Sequence, residues 1–399
     1  MKEFQKFDRI GATPHRSYYI PFAIDDVVKT KHGIIDRTSS TRFTLLDGVW
    51  QIKQLNHVED FSVNEKLGEA IPVPSCVQMH GYDQIQYLNT RYPFPVMFPH
   101  LPYDNPCWHY RRTINIKKTS GERYYLNFEG VDSCFYVWVN GVFIGYSEVS
   151  HSTSEFDITS AVKDGKNTLA VLVLKWCSGS YLEDQDKFRT SGIFRDVYVL
   201  KRPEKCIRDY FTTMEIDKEA SIKIRFDYIE GFVDTKISLY DANNKLVSSS
   251  EATPFDGGGY THKAVLSVKK PKLWNPEEPY LYTLVIETPD EVITDRVGIR
   301  EISIDSNQVF LNGSPIKFRG VNRHDSDPVK GYAVDMEDVK RDILMMKEYN
   351  FNGIRTSHYP NSSKLYELCD IYGLYVMDEN NMESHGSWDC VARGLISKE

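Results

Sequence analysis

The 399-residue chain has no run of eighteen apolar residues, and its opening MKEFQKFDRI has no apolar h-region. Neither a membrane span nor a signal peptide is expected, and the expected location is the cytoplasm. None of its seven cysteines, at 76, 107, 134, 177, 206, 369 and 390, forms a CxxC pair. Their odd number and irregular spacing predict buried thiols in a reducing compartment rather than a disulfide framework or zinc site. Basic patches are also missing: 56 Asp+Glu face 48 Lys+Arg, giving a net charge of -8 with the signs interspersed. That balance argues against nucleic acid or an anionic membrane as partner and suits an uncharged substrate. No internal repeat or low-complexity linker is seen.

What is present is organised around residues 318–386. Three apolar runs (315–321, 352–356 and 374–377) alternate with two helical patterns. In the first pattern Asp335 is the predicted N-cap, and Met336, Val339, Ile343 and Met346 recur at helical spacing. The second starts near Asn361 or Ser362, buries Leu365, Leu368, Cys369 and Tyr372, and stops at Gly373. This alternation predicts parallel strands with right-handed crossovers, as in an α/β barrel or a doubly wound sheet. A barrel carries its active site on the loops after its strands. Those loops hold Asn322, Arg323 and His324, then His358, then Asp378, Glu379, Glu383 and His385. Arg355, inside an apolar run, calls for a buried carboxylate partner, either Asp378 or Glu379.

Upstream the pattern is β. Asn140-Gly141 marks a two-residue hairpin, 169–175 reads as a central strand and 197–200 as another. A β-sandwich or jelly roll is predicted, with Trp138 and Trp176 in its core. By composition alone, Glu183, Asp184 and Asp186 beside Arg189 and Arg195 form a solvated loop with surface ion pairs. The strand pattern pauses at Lys201-Arg202-Pro203, and short strands at 222–228, 235–240, 264–268 and 282–287 then suit an immunoglobulin-like sandwich without chemistry of its own. A hairpin over 309–318, turning at Asn312-Gly313, leads to the α/β part.

Several stretches are recognisable together. PSCVQMHGYD (74–83), LNTRYPFP (88–95), GSYLEDQDKFRTSGIFRDVYV (179–199), PKLWNPEEPYLYTL (271–284), FRGVNRHD (318–325), IRTSHYPN (354–361) and YGLYVMDENNMESHG (372–386) resemble, in order and spacing, the large bacterial β-galactosidases of glycoside hydrolase family 2. The resemblance covers about 41–386, and the stretch from Ser387 to Glu399 matches poorly. Residues 1–40 are expected to form an N-terminal extension, and the resemblance implies a jelly-roll sugar-binding domain (41–203), an immunoglobulin-like sandwich (204–304) and the start of a TIM (β/α)8 barrel (305–399). The implied activity is hydrolysis of terminal non-reducing β-D-galactosides such as lactose, with retention.

Carried over residue by residue, Asn89 and Asp186 contact substrate, Asp186 also holding a sodium ion. His324, Arg355 and His358 surround the galactosyl transition state, and Glu383 with His385 supply two ligands of a magnesium ion. A retaining glycosidase needs two carboxylates about 5 Å apart. In this family both, the acid/base and the nucleophile, are glutamates on later barrel strands. They are expected beyond Glu399, since only 95 residues run from 305 to 399, so the isolated chain is expected to be inactive. The full-length enzyme is expected to be a homo-oligomer. A β-glucuronidase or β-mannosidase would share the architecture, although GSYLEDQD and MESHG argue against both; a non-catalytic carbohydrate-binding or assembly module is the other alternative. Cys76-Val77 stands where the family usually has Asn-Trp. Asp325 replaces a glutamate and Asn380 an alanine, and both are expected to alter pocket geometry or substrate preference.

Overall fold

The computed structural model describes residues 9–97, 100–392 and 394. Glu399, past which the acid/base and nucleophile are expected, lies outside the described residues, as do 395–398. A seven-stranded antiparallel sheet runs in the order Arg9–Ile10, Val142–Ser147, Cys134–Val139, Gly165–Leu174, Cys107–Ile116, Gly48–Leu55 and Glu69–Val73. A four-stranded sheet of Ser154–Asp157, Glu122–Phe128, Val197–Pro203 and Phe43–Leu45 packs against it. Trp50, Trp108 and Val171 of one sheet meet Leu126, Phe156 and Val199 of the other in one core, each such side chain contributing about 1.5–3 kcal/mol. The strand 165–174 is central, as its apolar run requires. Asn140 and Gly141 both have positive φ, 51° and 81°, as the tightest hairpin turn demands. Trp176 is buried, whereas Trp138 is half-buried on the outer face, against Phe61 and Tyr136.

The second sandwich pairs a five-stranded sheet (Pro21–Ala23, Glu291–Val297, Tyr282–Glu287, Lys236–Tyr240, Leu246–Glu251) with a four-stranded one (Cys206–Ile216, Glu219–Ile229, Tyr260–Lys269, Thr253–Gly257). The expected pause at Lys201-Arg202-Pro203 is not a break, because the strand Val197–Pro203 runs through it. Arg202 is 2% exposed and pairs at 2.6 Å with Glu291 of the second sandwich. Its charge therefore serves the junction rather than the surface.

Residues 9–40 form no detached extension. Arg9–Ile10 joins the first sandwich, Pro21–Ala23 pairs with Glu291–Val297 of the second, and Ile34 packs into the core of the α/β part with Leu365 and Leu368. Arg37 adds ion pairs to Glu129 and Asp196 of the first sandwich.

The hairpin turning at Asn312-Gly313 pairs Gln308–Leu311 with Ser314–Pro315. The first barrel strand therefore starts at Gly320 rather than 315. Three parallel strands, Gly320–Arg323, Gly353–Thr356 and Tyr375–Met377, stand in register with Val321, Ile354 and Val376 aligned. Between them run the helices Met336–Glu348 and Ser363–Tyr372. Asp335 caps the first, accepting from the N–H groups of Glu337 and Asp338, and its Val339 and Ile343 are buried with Leu365 and Leu368 of the second. Gly373 ends the second helix with φ +75°, and a Cβ there would lie 2.2 Å from the Pro276 carbonyl oxygen.

Candidate active site

The three parallel strands deliver their C-terminal residues to one end of the sheet. His324 follows the first and His358 the second, and their rings meet edge to face with centroids 5.6 Å apart. Arg355, on the second strand, pairs with Glu379 beyond the third, which settles its carboxylate partner between the two sequence candidates. The other oxygen of Glu379 lies 3.2 Å from His358 Nδ1. Asp378 instead accepts from Thr356 Oγ1 at 3.0 Å and from the Tyr366 hydroxyl at 2.5 Å. Burial pushes the His324 imidazole below its ordinary value, the nearby His358 adds to this, and Asp186 opposes it. The balance favours the neutral ring, which is suited to hydrogen bonding with hydroxyl groups.

Asp186 comes from the first sandwich. Its loop joins the α/β part through a parallel bridge, with Glu183 opposite Glu383 and Asp184 opposite Ser384. The loop is not solvated as composition suggests. Glu183, Asp184, Gln185, Lys187, Arg189 and Arg195 are all under 9% exposed. Asp184 takes Arg189 at 2.5 Å and the Gly386 N–H at 2.6 Å. Glu183 accepts from the Ser150 hydroxyl at 2.7 Å, and burial pushes its carboxyl up to about 7 against the pull of Lys187. The surface-pair reading fails because the loop's partners, residues 381–386, lie some two hundred positions away.

Asp186 itself is half-buried and accepts from the Tyr87 hydroxyl at 2.6 Å. Asn89 lies two residues past Tyr87 in an exposed bend. Sequence reasoning does not single out Tyr87 or Lys187, although Lys187 stands inside the recognisable loop. The Lys187 ammonium is 3.9 Å from Asp132 and lies 5.0 Å from the Tyr359 ring centroid. Burial lowers its pKa, with Asp132 and Glu183 opposing.

Asp325 does not shape an open pocket. It is 1% exposed, between Arg323 at 2.8 Å and Arg195 at 3.4 Å. Asn380 turns back on its own loop, accepting from the Met382 N–H at 3.0 Å. Cys76 is fully buried and its sulfur accepts from the Tyr332 N–H at 3.3 Å.

Glu383 Oε1 and His385 Nδ1 are 3.3 Å apart and partly exposed. Adjacent ligands of an octahedral ion with ~2.1 Å bonds are separated by about 3 Å, so the two donors fit neighbouring positions of one shell. Among the described residues no set of three His, Cys, Asp or Glu converges on a metal position.

Fold and site together join a β-sandwich loop to the strand ends of a three-stranded parallel α/β sheet. Three family models match in succession: the sugar binding domain of glycosyl hydrolases family 2 at residues 43–203, a further family 2 domain at 206–300, and the family 2 TIM barrel domain at 302–397. The chain belongs to glycosyl hydrolase family 2. It is 44% identical to a β-galactosidase of Staphylococcus xylosus and 42% identical to one of Actinobacillus pleuropneumoniae. These matches cover 94% and 95% of this chain but 37% of each relative, so the chain spans little more than a third of their length. Among solved structures, a β-glucuronidase of Lactobacillus rhamnosus is similar at TM-score 0.72 and 27% identity, over 85% of this chain and 58% of that one. A Bifidobacterium dentium β-glucuronidase complexed with coumarin-3-O-glucuronide shares the fold at TM-score 0.73 and 23% identity, over 85% and 61%.

Proposed function

We propose that this chain is the N-terminal part of a β-galactosidase that hydrolyses terminal non-reducing β-D-galactose residues, as in lactose, with retention. The similar β-galactosidases at 42–44% identity support the substrate class. The observation that carries it within the site is that the cations acting on His324 or sharing a partner with His358 are already paired: Arg355 with Glu379, Lys187 with Asp132 and Arg323 with Asp325. A uronate would need a cation for its own carboxylate, whereas a neutral galactoside needs hydrogen bonds. Asn89, Asp186, His324, Arg355 and His358 would supply them, Asp186 also offering an oxygen to sodium.

Glu383 and His385 would hold a magnesium ion whose remaining donors come from outside this segment. Bound there, the ion would supply electrostatic stabilisation to the acid step. Acid/base and nucleophile glutamates would come from the remaining barrel strands, beyond Glu399, leaving this chain inactive by itself. Six buried free thiols among the described residues are in keeping with a cytoplasmic location, and we assign the full-length protein a homo-oligomeric state. The test is hydrolysis of chromogenic β-galactoside and β-glucuronide by the full-length protein and by this chain. Galactoside turnover by the long form alone is expected; preference for the glucuronide, or turnover by the 399-residue chain, would sink the reading.

A further inference from the structure

We propose that Glu379 is a positioning residue that fixes the tautomer of His358, and so decides which kind of hydrogen bond the imidazole offers a bound sugar. The functional meaning rests on the galactoside reading above. Glu379 is itself held in place: its N–H donates to Thr356 Oγ1 at 3.0 Å, tying it to the second barrel strand. Its two oxygens are divided, Oε1 to the Arg355 guanidinium and Oε2 to His358 Nδ1 at 3.2 Å.

A carboxylate accepts and has no proton to give. The nitrogen facing it must therefore be the protonated one, and in a neutral ring Nε2 is left with the lone pair. His358 is 19% exposed, so the ring is held but not sealed off. A sugar hydroxyl meeting Nε2 has to donate rather than accept. An analogue with fluorine at that position, which accepts only, is disfavoured even though its size is similar.

Stability does not account for the arrangement. Arg355 and Glu379 are 34% and 27% exposed, and partly exposed pairs contribute at most about 1 kcal/mol. Removing Glu379 should leave a folded chain with a re-set imidazole.

The experiment is 15N NMR of the 399-residue chain labelled at histidine, the His358 signals being assigned by their loss in His358→Phe. Wild type is expected to show, in the neutral ring, a protonated Nδ1 and an unprotonated Nε2. Glu379→Leu should shift the ring toward protonated Nε2, and Glu379→Gln, whose amide offers an oxygen or an N–H, should give a mixture. A wild-type ring protonated on Nε2, or a tautomer unmoved by both substitutions, overturns the proposal. The tautomer is read without ligand, so its failure is separate from that of the substrate reading. Titration of the full-length protein with D-galactose addresses the latter: a protein with the expected tautomer that binds no galactose refutes the galactoside reading alone. Where binding occurs, Glu379→Leu should weaken it roughly 5- to 10-fold, the worth of one hydrogen bond.

Discussion

Arg195 of the first sandwich and Asp325 at the end of the first barrel strand lie 3.4 Å apart with side chains 7% and 1% exposed. Asp325 also holds Arg323 at 2.8 Å, and Arg195 donates to the carbonyls of His151 and Pro360. One carboxylate thus balances two buried guanidinium groups on different domains. Asp325→Ala is expected to destabilise the chain by about 3–5 kcal/mol, because it leaves the buried Arg195 without its carboxylate and Arg323 with Asp342 alone at 3.0 Å. Urea unfolding checks this; a loss under about 1 kcal/mol would show that the two arginines find water or other partners.

Glu367, on the second barrel helix, is pushed up to about 7, by burial first and then by the carboxylate of Asp295 on the second sandwich, with Arg37 opposing. A carboxyl whose pKa is raised on folding stabilises the fold while protonated. That contribution is complete below the unfolded value of 4.5 and is lost as pH rises through about 7. Glu367→Gln should remove this loss, so the variant should be the more stable at about pH 8 by about 1–2 kcal/mol and differ little at about pH 4.5. Denaturation midpoints at the two pH values decide it, and an unchanged difference between them would mean the group is not raised.

Gly373→Ala tests the junction between barrel and second sandwich. The position combines φ +75° with a Cβ site 2.2 Å from the Pro276 oxygen. A loss of about 2 kcal/mol or more is expected in thermal or urea unfolding. A neutral result would show that the Pro276 loop yields freely.

The parts of this arrangement legible in the sequence are those set locally. Asn140-Gly141, the Asp335 cap and the alternation of apolar runs each need only their neighbours, and each stands where its pattern says. Glu379 as the partner of Arg355 is legible as one of two choices, since adjacent parallel strands leave few carboxylates within reach. The burial of Asp184 and Glu183 is not legible, because it depends on Gly386, Ser150 and the strand at 383–384. How residues 9–40 pack is not legible for the same reason: Phe22 pairs with Val292, and Ile34 packs with Leu365 and Leu368.

The metal reading yields its own measurement. With Glu383 and His385 as the only assigned donors, this chain is expected to bind magnesium no more tightly than the millimolar range. In the full-length protein, Glu383→Gln should weaken magnesium binding by about 10-fold or more. Calorimetry on both forms checks this, and micromolar binding by the short chain would show that its donor set is already complete.

The path of residues 9–40 across all three domains also sets an order of events during synthesis. Ile34 packs on Leu365 and Leu368, which leave the ribosome some 330 residues later. At about 5–20 residues per second the apolar side chains of the first segment wait roughly 15–70 s for their last contacts. They must meanwhile be sheltered by the nascent chain itself or by a chaperone. A segment translated early thus completes its packing only after most of this chain has emerged.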